Sequence, residues 1–169
     1  MKLNSSTIKY IKDRGFSMIE VIVALFILSL AVIGSFILIQ QTLIGASANQ
    51  MRLTASYLGQ EGLEIVRNIR DTNWLKGQTW TTNLGVGGSE QEADYLSNSL
   101  AASQNRYFNI DSNGFYTYGS GTNTKFKRKI FVTQEAGGYL KVRVRIEWQE
   151  RGKDYSLEVI DFLYNWYVI

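Results

Sequence analysis

The chain has 169 residues and contains no cysteine, histidine or proline, a length that suits one domain of roughly 100–200 residues. Disulfides, thiolate metal sites and cysteine nucleophiles are therefore excluded, the commonest general base and zinc ligand is missing, and no helix is stopped by proline. The net charge is +3, and all of it sits in residues 1–15, where Lys2, Lys9, Lys12 and Arg14 face Asp13 alone; the remainder is electrically balanced, so the excess bears on membrane topology rather than on nucleic acid.

Directly after the basic segment comes an apolar run. From Met18 to Ile39 the only charge is Glu20. As a helix this run is about 33 Å long, enough to cross a hydrocarbon core of roughly 30 Å. The basic residues upstream predict a cytoplasmic N-terminus and export of everything beyond about residue 40. A secretory signal peptide is the competing reading, but its apolar core usually runs about 7–15 residues to a small-x-small cleavage site. Here the run is longer and continues through Gln40 and Gln41, with Gly45-Ala46-Ser47-Ala48 the one faint cleavage signal. A retained membrane helix is the expectation. Glu20 is the anomaly, since a carboxylate near the end of a membrane helix costs ~1–3 kcal/mol without a partner. Taken alone it reads as an interfacial charge that snorkels to water.

Its neighbours change that reading. Arg14-Gly15-Phe16-Ser17-Met18-Ile19-Glu20-Val21, followed by the long apolar run, resembles the prepilin processing motif of type IV pilins and type II secretion pseudopilins. The resemblance implies cleavage after Gly15 by the prepilin peptidase, a membrane aspartyl enzyme, and N-methylation of the new terminal Phe16. Glu20 would then form the assembly salt bridge, pairing in low dielectric with the Phe16 amino group of a neighbouring subunit. The run Tyr57-Leu58-Gly59-Gln60-Glu61-Gly62-Leu63-Glu64 is similar to PilV-type minor pilins and I-type pseudopilins, and the likeness covers about residues 15–75. Ile37 stands where major pilins often carry a proline, and no cysteines close a C-terminal loop; both departures argue against a cysteine-closed major pilin and are compatible with a minor pilin.

The resemblance implies a type IV pilin-like α+β fold and a structural, non-enzymatic subunit without cofactor or metal. It implies a single-pass protein of the cytoplasmic membrane that later enters an extracytoplasmic filament. Its partners would be other pilin or pseudopilin subunits, the peptidase, an inner-membrane assembly platform and, before assembly, membrane lipid. A separate ATPase would drive assembly, since the chain has no phosphate-binding loop.

Past the membrane, Ile44, Ala48, Met51, Ala55, Leu58, Gly62, Ile65 and Ile69 alternate by four and three, the apolar stripe of an amphipathic helix. Arg52, Gln60, Glu64 and Arg67 lie off it. One helix from about Ser17 to Arg70 is predicted, its second half docked on a sheet, with Gly62 and two alanines allowing close approach. A coiled-coil seam is the other use of such a stripe. Gly34, Gly45, Gly59 and Gly62 each weaken the helix by up to about 1 kcal/mol, which admits either close packing or local unwinding near Gly34-Ser35.

After Asp71 the pattern changes. Trp74, Trp80 and the glycine-rich Leu84–Ser89 lead into a polar stretch with one short helix expected around Ala93–Ala102. Tyr107–Ile110 and Phe115–Tyr118 read as a hairpin across Asp111-Ser112-Asn113-Gly114. Lys125–Gln134, Tyr139–Gln149 and Tyr155–Trp166 read as three strands of a meander; in the second, Leu140, Val142, Val144, Ile146 and Trp148 alternate with charged residues. The predicted organisation is a leader (1–15), the transmembrane and assembly half of the helix (16–39), its amphipathic half (40–73), a connecting region (74–106) and an antiparallel sheet (107–169).

Several features admit a sharper reading. Asp111-Ser112-Asn113-Gly114 opens like a calcium loop but lacks the further oxygen ligands, so an Asx turn is preferred. Lys125, Lys127, Arg128 and Lys129, with Lys141, Arg143 and Arg145, would make a basic face for DNA or another surface ligand; the preferred reading is a solvated face with cross-strand pairs to Glu147, Glu158 or Asp161. The tail Phe162–Ile169 reads either as a core-filling edge strand or as a contact for a neighbouring subunit or surface adhesion. The runner-up function is a type II secretion pseudopilin. An uncleaved signal-anchored binding domain and an exported hydrolase using Glu61 and Glu64 are the rivals from other classes.

Overall fold

The computed structural model describes residues 15–167, so the leader reading (Gly15 apart) and Val168 and Ile169 of the tail lie outside the described residues. One long helix, α1 (Met18–Leu75), is followed by eight strands: β1 (Gln91–Glu92), β2 (Ala101–Ala102), β3 (Asn109–Ile110), β4 (Tyr116–Thr117), β5 (Thr122–Asn123), β6 (Phe126–Gln134), β7 (Leu140–Glu150) and β8 (Lys153–Leu163). This is the expected α+β arrangement, a long N-terminal apolar helix with a small antiparallel sheet, consistent with a type IV pilin fold. The chain divides into two units at Gly45 and Ala46.

In the first unit α1 is exposed along its whole described length up to Gly45. Its hydroxyls are satisfied within the helix: Ser29 donates to the Phe26 carbonyl at 2.7 Å, Ser35 to Ala31 at 2.8 Å and Thr42 to Leu38 at 2.8 Å. Such back-bonding removes the cost of carrying hydroxyls into hydrocarbon.

In the second unit the C-terminal part of α1 lies on the five-stranded sheet, ordered β2-β1-β6-β7-β8 and antiparallel between neighbours. The core forms between Ala55, Leu58, Ile65, Val66 and Ile69 of α1 and Ile130, Val132, Val142, Val144 and Ile146 of the sheet, closed by Leu84 and Phe108. Two glycines set the helix–sheet spacing. A Cβ at Gly59 would lie 2.9 Å from Val159 Cγ2, and one at Gly62 would lie 2.8 Å from Val144 Cγ1. The predicted stripe is thus the docking face from Ala55 to Ile69, while Ile44 is exposed. The helix also runs one turn past the expected end, to Leu75. There Trp74 is buried, donating from Nε1 to Asn165 Oδ1 at 3.2 Å beneath the Arg70 guanidinium, 4.6 Å from the ring.

The β7–β8 connection is a two-residue turn in which Arg151 and Gly152 both have positive φ, 52° and 74°, the backbone that matches the twist of a hairpin. The tail leaves the sheet after Leu163, and Trp166 closes edge-on against Trp74 with ring centroids 5.1 Å apart.

Three expectations need correction. The stretch Ala93–Ala102 is not a helix. Asp94 Oδ1 accepts from the Leu96 N–H at 3.2 Å and the Ser97 hydroxyl at 2.8 Å, a side-chain turn that outcompetes the alanines' helix propensity. The chain then doubles back so that β1 and β2 pair, Glu92 opposite Ala101, at the edge of the main sheet. Second, the Tyr107–Tyr118 hairpin forms, but in its own three-stranded sheet, β4-β3-β5, because Thr122–Asn123 returns to pair with β3. Third, Arg128 is no part of an outer basic face: it falls on the inward parity of β6 and is 1% exposed.

Candidate processing and assembly site

The predicted site residues lie at the start of α1. Gly15, Phe16 and Ser17 precede the helix, and the Val21 N–H donates to the Ser17 carbonyl at 3.2 Å. Ser17 is therefore the N-cap and Glu20 the third helical residue, in the first turn. Ser-x-x-Glu at these positions is the spacing of a capping box, a legible signal that the motif reading above passed over. Glu20 stands beside the unpaired N–H groups and positive dipole end of the helix, an arrangement worth about 0.3–1 kcal/mol. One chain thus gives the carboxylate a local reason to sit there.

Phe16 is 81% exposed. A Cβ at Gly15 would meet nothing within 4 Å, so no packing among the described residues calls for glycine there. Glu20 makes no hydrogen bond or ion pair among the described residues. Phe16 lies four residues before Glu20, ahead of the helix start at Met18. Downstream, α1 is long and apolar enough to cross a membrane.

The other candidates resolve into local structure. Both Asp111 oxygens are taken: Oδ1 accepts from the Asn113 and Phe115 N–H groups at 2.8 and 3.0 Å, and Oδ2 from the Tyr95 hydroxyl at 2.8 Å. The Phe115 and Tyr95 hydrogen bonds, in that order, hold its carboxyl below the usual range. This loop is an Asx turn. On the outer sheet face Glu158 sits 3.9 Å from Arg143 and 3.1 Å from Arg145, and Lys129 lies 3.4 Å from both Glu147 and Glu90. Cross-strand pairing is thus the outcome there. Asp161 is on the inner side, 2.7 Å from Arg67. Glu61 and Glu64 are not a free carboxylate pair: Glu64 is 3.1 Å from Arg67 on the helix surface, and Glu61 is 2.9 Å from Arg128.

Arg128 is the buried polar residue that sequence reasoning placed on the wrong face. Its guanidinium donates to the Leu58 carbonyl at 3.0 Å, to Glu61 and to the Ala93 carbonyl, and stands 4.8 Å over the Phe108 ring. It ties α1, β6 and the segment after β1 together. Alternation along the first half of β6 (Phe126, Arg128 and Ile130 inward, Lys127 and Lys129 outward) was the available signal.

Comparison with known proteins converges on the same end of the chain. The sequence profile described as "Prokaryotic N-terminal methylation motif" matches residues 11–36, a span that contains Gly15, Phe16 and Glu20. The match supports a prepilin of the type IV pilin and pseudopilin family, whose members are structural rather than enzymatic. It suggests peptidase processing, assembly with other pilin subunits and a membrane anchor. No curated protein and no solved structure matches the chain.

Proposed function

We propose that the chain is a structural minor pilin of a type IV pilus, made as a prepilin, cleaved after Gly15 and N-methylated at Phe16. The observation that carries this reading is the methylation-motif match over residues 11–36 joined to an exposed apolar helix that begins three residues after Gly15. In this reading a glycine with no packing role among the described residues is what the peptidase's cleft requires, and the freed Phe16 amino group of a neighbour is the partner of Glu20. Residues 16–39 hold the subunit in lipid, N-terminus inward, and then line the filament core. The likeness of Tyr57–Glu64 to I-type pseudopilins supports a second reading, a subunit of a type II secretion pseudopilus. The two are separated by whether the gene lies with pilus retraction genes or with secretin and exoprotein genes.

The deciding experiment is the intact mass of the membrane-extracted protein from cells with and without prepilin peptidase. Loss of residues 1–15 with gain of one methyl group, only when the peptidase is present, is the expected result. An intact leader in both strains overturns the proposal and leaves an uncleaved, signal-anchored exported domain.

A further inference from the structure

The outer face of the main sheet carries a solvent-open cleft of about 440 Å³ at the β7–β8 hairpin end, within the roughly 300–1,000 Å³ of small-ligand sites. Its floor is a rung of the sheet: Lys127 lies opposite Glu147, and Glu147 opposite Ser156, with Gln149 opposite Asp154 on the next rung. Asn105 and Tyr107 wall one side, where the Lys127 ammonium donates to Asn105 Oδ1 at 3.3 Å and stands 4.4 Å over the Tyr107 ring. We propose that this cleft binds a neutral saccharide.

Three properties select that ligand class. First, the charges cancel: Lys127 and Lys129 face Glu147 and Asp154, so a phosphate or sulfate would meet two carboxylates and a cation would meet two ammonium groups. Second, the internal bonds leave capacity unused. An ammonium has three donors and a carboxylate about four acceptor sites. Lys127 spends one donor on Asn105, Asp154 one oxygen on Gln149 at 3.1 Å, and Lys129 pairs with Glu147 and Glu90 at 3.4 Å each. Paired donors and acceptors a few ångströms apart are what vicinal hydroxyls satisfy, since each hydroxyl both gives and accepts. Third, aromatic surface is fixed in place. Tyr107 is 50% exposed, and its ring is held beside the Lys127 ammonium, 4.4 Å from the centroid. A rigid ring presents an apolar plane at little entropic cost, against which the C–H face of a pyranose packs.

The test uses the full-length protein in a detergent without a sugar headgroup, probed with neutral di- and trisaccharides of glucose and galactose. A heparin-derived tetrasaccharide and a thymidine oligonucleotide serve as polyanion comparators. Expected is retention of a neutral saccharide with little dependence on salt. Tyr107→Ala and Glu147→Gln should each weaken binding about tenfold, the cost of one good contact or charge-assisted hydrogen bond, while Lys141→Gln, outside the cleft, leaves it unchanged. Thermal melting of each variant separates loss of site from loss of fold. Failure to retain any neutral saccharide overturns the proposal, as does undiminished binding by both cleft variants, or binding confined to the polyanions and abolished by salt. The readout does not involve the leader, so it stands or falls apart from the prepilin reading.

Discussion

Glu61 holds one end of a charge pair whose other end, Arg128, has no access to water, while Glu61 keeps 32% of its side chain exposed. Removing one partner of such a pair strands a buried charge. Glu61→Gln should therefore destabilise the unit from Ala46 onward by roughly 3 kcal/mol, the low end for a buried pair because Glu61 is partly hydrated. Glu64→Gln, which breaks an exposed i,i+3 pair with Arg67, should cost only about 0.3 kcal/mol. All four tryptophans, Trp74, Trp80, Trp148 and Trp166, lie in that unit, so urea unfolding of the full chain followed by tryptophan fluorescence reads the difference. Equal effects would remove Arg128 from its central role. Asp94 gives the pH dependence. Burial pushes its carboxyl upward, but the Thr117 hydroxyl, Tyr118 N–H, Ser97 hydroxyl and Leu96 N–H together hold it below 3.8. A carboxyl depressed on folding stabilises the protein fully above its ordinary value, and that contribution is lost as pH falls through the folded value. Asp94→Asn should flatten the acid limb of the stability curve below about pH 4 and leave its neutral slope alone; an unchanged acid limb would assign the loss to other carboxylates.

At the scale of elements, the contrast among glycines is the most direct test of how α1 docks. In an open helix position glycine costs up to about 1 kcal/mol against alanine, and a Cβ at Gly45 meets nothing within 4 Å, so Gly45→Ala should stabilise by that order. At Gly62 the same methyl would sit 2.8 Å from Val144 Cγ1 and 3.0 Å from Arg128 Cδ, where strain of about 1–3 kcal/mol exceeds the propensity gain. Gly62→Ala should therefore lower the urea midpoint, and a raised midpoint would mean that helix and sheet do not pack through this seam. The elements legible in the sequence were those with a strong period: the apolar span, the docking stripe, and β7 with its alternating charges. What was not legible followed from side-chain chemistry rather than period. Asp94 and Ser97 formed a turn where alanines suggested a helix. β1 and β2 are two residues each, too short to show alternation, and their pairing is a long-range event. Arg128 is misplaced when the four basic residues of Lys125–Lys129 are taken as one face, since Phe126–Ile130 alternates. At the candidate site the cap spacing Ser17-x-x-Glu20 is legible in the sequence itself, whereas the processing and assembly roles of Gly15, Phe16 and Glu20 rest on the resemblance.

For the whole molecule, the question is what a carboxylate at the head of an apolar helix does when many copies meet. The helix start alone gives Glu20 tenths of a kcal/mol to about 1 kcal/mol of stabilisation, less than the ~1–3 kcal/mol of carrying it unpaired into lipid. The balance closes if a cation is supplied from outside the chain, and the proposed processing supplies one, the Phe16 amino group of a neighbour. Glu20→Gln keeps the side chain's size and shape but removes its charge, so cleavage after Gly15 should proceed as in the unaltered chain. Incorporation should then fail: processed Gln-bearing subunit should accumulate in the membrane fraction and be depleted from sheared filaments by tenfold or more, the order of one charge-assisted pair in low dielectric. Intact mass of the membrane pool verifies processing, and quantitative immunoblotting of the sheared fraction reads assembly. Normal incorporation of the processed variant would show that Glu20 serves the helix start alone, and the assembly salt bridge would have to be abandoned.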